Sequence, residues 1–188
     1  MLVRCHWAET HPLLTDYHDR EWGVQNRDRS HLYEFLILEG AQAGLSWLSV
    51  LTRRTAYREA FLGFDPDRVA RWGDVDVDRL IQHAGLIKNR SKLRSAINNA
   101  RQFLDVEAAY GGFDRYLDTV TPGHTIHHFS ADGALPSNDS ASNALSRDLR
   151  LRGFSFVGPT ICYSYLQAVG WVMDHVTSCF RYQELTLS

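Results

Sequence analysis

Apolar residues recur at spacings of three and four along most of this chain, and runs that alternate apolar with polar are scarce, so the class is mainly α. A helix is expected over residues 30–43, with Ser30 as N-cap and Leu32, Phe35 and Leu36 on its apolar side. A second runs over residues 46–61, carrying Leu48, Leu51, Tyr57 and Phe61. Asp65 before Pro66 predicts a short capped helix, and Asp76 starts another with Val77, Leu80 and Ile81. That pattern stops at Gly85. The next begins near Ser91 and continues through Leu93, Ile97, Ala100 and Leu104, which makes residues 77–104 a helix–turn–helix element with glycine in the turn.

Downstream, Gly111-Gly112 and Thr121-Pro122-Gly123 bracket a short helix with Phe113, Tyr116 and Leu117. Residues 130–140 are polar and read as a surface loop. A helix follows from about Ser140 through Leu145 and Leu149, with Gly153 suited to the position after its end. Residues 154–157 are a short extended candidate, and Pro159 opens a last long helix expected to reach Cys179. Residues 183–188 are expected to fray. The first 30 residues look irregular, with an unusual density of rings and ligand-type side chains.

Within this frame, residues 38–47 stand out. Glu39 directly follows the apolar run Phe35-Leu36-Ile37-Leu38, and Gly40, Ala41, Ala43 and Gly44 crowd behind it. On one helix, Glu39, Ala43 and Trp47 would share a broad side. A carboxylate, a small-residue floor and an indole then make a cleft for a flat, polar or cationic ring. The same residues also fit a solvated glutamate beside a core tryptophan.

Bulk properties narrow the partners. The chain has 188 residues and a net charge of −2, enough length for one domain with its own core and no global basicity. Contact with nucleic acid must therefore come from a local patch. Lys88, Arg90, Lys92 and Arg94 cluster about the Gly85 turn, where helix-start amides can hold a phosphate; an ordinary solvated helix start is the other reading. Arg147, Arg150 and Arg152 form a second basic group. Three cysteines are too few and odd in number for a disulfide framework, which favours a reducing, cytoplasmic setting. No stretch approaches the roughly 18 apolar residues of a membrane span.

His175 and Cys179 stand four apart at the end of the expected last helix, and Cys5 and His18 lie near the other end of the chain. Together they make a Cys2His2 set that suits a structural zinc ion tying the two termini together. A hydrolytic zinc would need an open position, which four protein ligands do not leave. Cys162, in an apolar setting, reads as a buried thiol.

Long motifs in order then resemble the 3-methyladenine DNA glycosylase I family of the helix–hairpin–helix DNA glycosylase superfamily. They include Arg4-Cys5-His6-Trp7, Tyr17-His18-Asp19-Arg20-Glu21-Trp22-Gly23-Val24 and Leu38-Glu39-Gly40-Ala41-Gln42-Ala43-Gly44-Leu45-Ser46-Trp47. Ala84-Gly85-Leu86-Ile87, the run from Arg152 to Ser164, and Asp174-His175-Val176 complete them, so the match is nearly end to end.

The resemblance implies a single glycosylase domain over residues 1–188, of two lobes with the damaged base between them. It implies a zinc clasp of Cys5, His18, His175 and Cys179, one ion per chain, joining the N- and C-terminal segments. It places Glu39, Tyr17 and Trp47 in the base-recognition pocket, with Trp7 and Trp22 as further aromatic wall and Leu45 as a wedge. It makes Ala84–Arg90 the hairpin that grips the DNA backbone, with Gly85, Lys88, Arg90 and Lys92 as the expected DNA contacts. The implied activity is monofunctional release of 3-methyladenine from alkylated double-stranded DNA in base excision repair, by a monomer. The alternative is a non-catalytic, zinc-stabilised helix–hairpin–helix module that only binds DNA. Leu14 stands where family members carry a tyrosine, and Ile87 where the wider superfamily often has a second glycine.

Overall fold

The computed structural model describes residues 2–187 apart from 124, 129, 130, 132 and 133. Part of the polar stretch over residues 130–140 therefore lies outside the described residues. Eleven α-helices and one two-residue-long pair of strands appear among those described. No helix is long and apolar enough to cross a membrane.

Helix α2 (Arg29–Gln42) is the centre of the molecule. Every residue from Leu32 to Ala41 is buried, so this helix is covered on all sides and has no solvent face. Its N-cap is Asp28, which accepts from the His31 amide, and not Ser30 as expected. Around it pack α10 (Pro159–Val169), α7 (Arg90–Tyr110), α3 (Trp47–Leu51) and α8 (Phe113–Val120). Full burial of α2 decides the fate of Glu39: any polar side chain there is carried into the interior.

The N-terminal 30 residues are more regular than their sequence suggested. A 3₁₀ turn (His6–Thr10) leads into α1 (Pro12–Arg20), whose N-cap His11 accepts from the Leu13 amide. The helix expected over residues 46–61 is two, α3 and α4 (Arg54–Ala60). Arg54 begins α4 because it is fixed from outside, with salt bridges to Glu21 at 2.6 Å and Glu34 at 2.7 Å. As expected, Asp65 caps α5 (Pro66–Val69). Helix α6 (Asp74–Gln82) starts two residues before Asp76, whose side chain instead accepts from the Gly73 amide.

The chain then turns through Gly85 into α7, capped by Asn89. Gly85 is required by packing: a Cβ there would lie 2.3 Å from the Ala56 Cβ in α4. Helix α8 sits between its glycine and proline loops, and α9 (Ser140–Leu151) ends with Gly153 in the left-handed region at φ +88°.

The C-terminal third departs most. Residues 154–157 form no strand, and Phe156 adopts φ +57°. The strands are instead β1 (Ile126–His127) and β2 (Val172–Met173), paired in parallel. Helix α10 stops at Val169, ten residues short of Cys179. Gly170 takes φ +82°, and a Cβ on it would come within 2.1 Å of the Gln25 amide nitrogen. Backbone from the N-terminal segment thus ends this helix, which local apolar spacing could not reveal. Residues 183–187, expected to fray, form the end of α11 (Phe180–Leu187).

Candidate active site and metal centre

Residues from α1, α2, α3 and α10 converge on a cavity of about 220 Å³, lined by Trp7, Tyr17, Trp22, Glu39, Gln42, Trp47, Leu135, Ser164 and Gln167. An adjoining cavity of about 180 Å³ shares Glu39, Gln42 and Ser164 and reaches Leu45, which is 43% exposed at the rim. Five site residues named from sequence, Glu39, Tyr17, Trp47, Trp7 and Trp22, thus share one cavity. Leu14 is buried and is not among the lining residues.

The route to this arrangement differs from the expected one. Helix α2 ends at Gln42, with Ala43 as its cap and Gly44 at φ +79°, so Glu39, Ala43 and Trp47 do not share a continuous helix. The turn over residues 43–46 re-aims the chain and returns Trp47 at the start of α3. Lys92 of α7 secures that turn, its ammonium donating to the Ala41 and Ala43 carbonyls at 2.8 and 2.5 Å. These are carbonyls that a helix end leaves without internal partners.

The cavity wall is aromatic. The Trp7 and Trp22 rings meet edge to face at 5.0 Å, and Tyr17 lies 5.3 Å from Trp47. Phe35, assigned from sequence only to the core, backs both, 6.1 Å from Tyr17 and 6.2 Å from Trp47, with the Arg54 guanidinium over its ring, 4.8 Å from the centroid. Ser164 and Gln167 were not singled out either. The signal for Gln167 was available: one amide in the apolar run over residues 161–169.

Glu39 is 3% exposed, and its Oε2 has no hydrogen-bond partner among the described residues; nor has the buried Trp47 indole nitrogen. Burial pushes the Glu39 carboxyl up to about 8. Burial, reinforced by the nearby Glu39, also raises the Tyr17 phenol well above its usual range. An unpaired carboxyl in an aromatic cavity favours a ligand that brings a donor and positive charge. A larger groove of about 600 Å³ lies between α6 and α7, but its cations are engaged: Arg94 pairs with Asp74, and Arg101 donates to the Ala70 and Trp72 carbonyls.

The four candidate ligands also meet. Ligand atoms of Cys5, His18, His175 and Cys179 all lie within 4.8 Å of one another, and all four residues are buried. His175 and Cys179 reach the site from the turn after β2, not from one helix. His18 Nε2 is 3.1 Å from His175 Nδ1, and the Cys179 sulfur is 3.5 and 3.6 Å from these two nitrogens. The outward nitrogens are occupied, His18 Nδ1 by Asp19 at 2.8 Å and His175 Nε2 by the Trp22 carbonyl at 2.9 Å. Such partners fix which nitrogen faces the ion. This group can hold a metal ion. Cys162 is a buried thiol directed at the Val157 carbonyl.

About the Gly85 turn, each basic side chain has a partner in the protein. Lys88 donates to the Ile81 and His83 carbonyls at 2.5 Å, Arg90 pairs with Asp78, and Arg94 with Asp74 at 2.7 Å. Lys88 and Arg90 remain exposed, whereas Lys92 is partly buried, which lowers the pKa of its ammonium. In the second basic group, Arg152 is held by Asp148 and the Tyr110 hydroxyl, both at 2.6 Å.

Comparison with known proteins agrees with this geometry. The methyladenine glycosylase family model matches residues 7–182. DNA-3-methyladenine glycosylase 1 of Escherichia coli (strain K12) is 46% identical over 182 residues, covering 96% of this chain and 97% of that protein. A crystal structure of 3-methyladenine DNA glycosylase I superposes with a TM-score of 0.91 at 44% identity, covering 95% of this chain and 98% of the other. A tyrosine-to-phenylalanine variant of 3-methyladenine DNA glycosylase I in complex with 3-methyladenine superposes with a TM-score of 0.90 at 34% identity, covering 94% and 96%. By its sequence along nearly its whole length and by its fold, this chain belongs to the methyladenine glycosylase family.

Proposed function

We propose that this protein is a monofunctional DNA glycosylase of base excision repair that releases 3-methyladenine from alkylated double-stranded DNA. The observation that carries this reading is the buried, unpartnered Glu39 carboxyl inside an aromatic cavity of base size. A base within a duplex must be flipped out to reach such a cavity. Methylation at N3 leaves the base positively charged and weakens its bond to the sugar. The charge stacks on Trp7, Trp22 and Trp47, each cation–π contact contributing roughly 0.5–2 kcal/mol. Glu39 ionises against the cation and accepts from its amino edge, with Tyr17 as a second polar contact. Water adds to the sugar carbon, the carbon–nitrogen bond breaks, and its electron pair leaves with the now neutral base; the water proton passes to solvent. Leu45 enters the gap left in the duplex. Chromatography of bases released from methylated DNA tests this: free 3-methyladenine is expected, and binding without release would favour a non-catalytic module.

The chain acts as a monomeric single domain of two lobes, with α6, the Gly85 turn and α7 as its helix–hairpin–helix over residues 77–104. Gly85, Lys88, Arg90 and Lys92 form the DNA grip, through phosphates and not base edges. Lys88 and Lys92 each already donate to two backbone carbonyls, and Lys92 is in addition partly buried. Replacing Lys88 or Arg90 with alanine should weaken binding to damaged and undamaged duplex alike. Each lost phosphate contact should flatten the slope of log K against log salt by about 0.9. An unchanged slope in both variants would remove these side chains from the phosphate contacts.

The metal is zinc, in a structural role. Zinc–sulfur bonds of about 2.3 Å and zinc–nitrogen bonds of about 2.0–2.1 Å require tetrahedral ligands roughly 3.3–3.8 Å apart. The sulfur–nitrogen separations of 3.5, 3.6 and 3.7 Å fall in that range, and the 3.1 Å nitrogen pair lies just below it. Four protein ligands leave no open position for a reacting water.

A further inference from the structure

The face of the cavity built by α10 carries an amide whose orientation is set from behind. Gln167 lines the cavity together with Glu39. Its Nε2 donates to Asp174 Oδ2 at 2.6 Å, and the same oxygen accepts the Tyr163 hydroxyl at 2.5 Å. The other oxygen of this 1%-exposed carboxylate lies 2.7 Å from His128 Nδ1. A carboxylate only accepts, so the amide must turn its NH2 group to Asp174. The reversed amide would set oxygen against oxygen. Its second Nε2–H aside, the atom with which Gln167 can accept from a ligand is therefore Oε1. With Glu39 Oε2, this gives the cavity two acceptors without a hydrogen-bond partner among the described residues.

We propose that Gln167, held by Asp174 and Tyr163, is a specificity-determining residue: it accepts a hydrogen bond from the 6-amino group of the alkylated purine and rejects purines with a 6-oxo group. This rests on the glycosylase reading above and explains a selectivity within it. A 6-amino group carries two hydrogens, one for Glu39 and one for Gln167. A 6-oxo group has none, so it would face two acceptors and leave both unsatisfied in a poorly solvated site. A site built to bond a donor rejects the analogue lacking it more strongly than a shape filter does. A neutral amide also supplies the second acceptor without placing another negative charge beside Glu39.

The test is binding of free 3-methyladenine and free 3-methylguanine, read by quenching of the cavity tryptophans. Gln167→Met keeps the side-chain length and leaves Asp174 its Tyr163 and His128 partners. The expected result is about a three- to tenfold loss of 3-methyladenine affinity, the effect of one neutral hydrogen bond, with no loss for 3-methylguanine. No loss, or equal losses for the two bases, would overturn the proposal. Should the variant not fold, the wild type decides the matter by ¹⁵N NMR. The Gln167 side-chain amide is expected to shift on saturation with 3-methyladenine and not with 3-methylguanine. No shift, or the same shift with both bases, would overturn it. If the wild type bound neither base and released none from methylated DNA, the glycosylase reading would fall too; a null effect confined to Gln167 would leave that reading standing.

Discussion

Glu39→Gln is expected to lower both 3-methyladenine excision and free-base affinity by about tenfold to a hundredfold, with duplex binding nearly unchanged. The substitution keeps size and removes charge at a position with 3% exposure and a carboxylate oxygen that has no hydrogen-bond partner among the described residues. A charge-assisted hydrogen bond contributes roughly 1.5–3 kcal/mol, which sets that range. The same change should stabilise the ligand-free protein in a pH-dependent way. Burial raises the Glu39 carboxyl from an ordinary 4.5 to about 8. Above 4.5 the unfolded chain releases this proton while the folded chain retains it, so the wild type loses stability as pH rises from about 4.5 to about 8. The slope is about 1.4 kcal/mol per pH unit, on the order of 5 kcal/mol over the window. The glutamine variant lacks this slope. Thermal melts at pH 5 and pH 8 should show its advantage widening with pH. Wild-type excision by the variant, with a pH-independent gap in melting temperature, would make Glu39 a structural residue.

Cys179→Ser should be the most destabilising substitution proposed. It removes one of four ligands that join α1, the N-terminal segment and the turn after β2. Structural zinc binding is folding free energy, and a loss of several kcal/mol would lower the melting temperature by about 10 °C or more in a chain of this size. Cys162→Ser alters a buried thiol that is no ligand and should cost a few degrees at most. Metal analysis of the wild type should give one zinc per chain, and chelation should reproduce the Cys179→Ser melt. A metal-free protein with undiminished heat stability would remove the clasp from the account.

Much of the local structure could be read directly from residue order. Asp65-Pro66, the glycine pair before Phe113 and Gly153 mark helix ends through side-chain capping and backbone conformation, which depend on neighbours only a few residues away. Cys5, His18, His175 and Cys179 were legible as a possible metal set from donor chemistry, and Glu39 as a carboxyl out of place beside an apolar run. Tertiary structure decided the rest. Trp47 joins Glu39 through a turn that Lys92 holds from another helix, and α10 ends where the Val24–Gln25 backbone presses on Gly170. Lys88, Arg90 and Lys92 find partners within the protein, and Gln167 takes its orientation from Asp174. Spacing along a chain constrains the torsions and near neighbours of each residue; burial, cavity walls and hydrogen-bond partners arise where distant segments pack, and those contacts determine which polar groups remain free for a ligand.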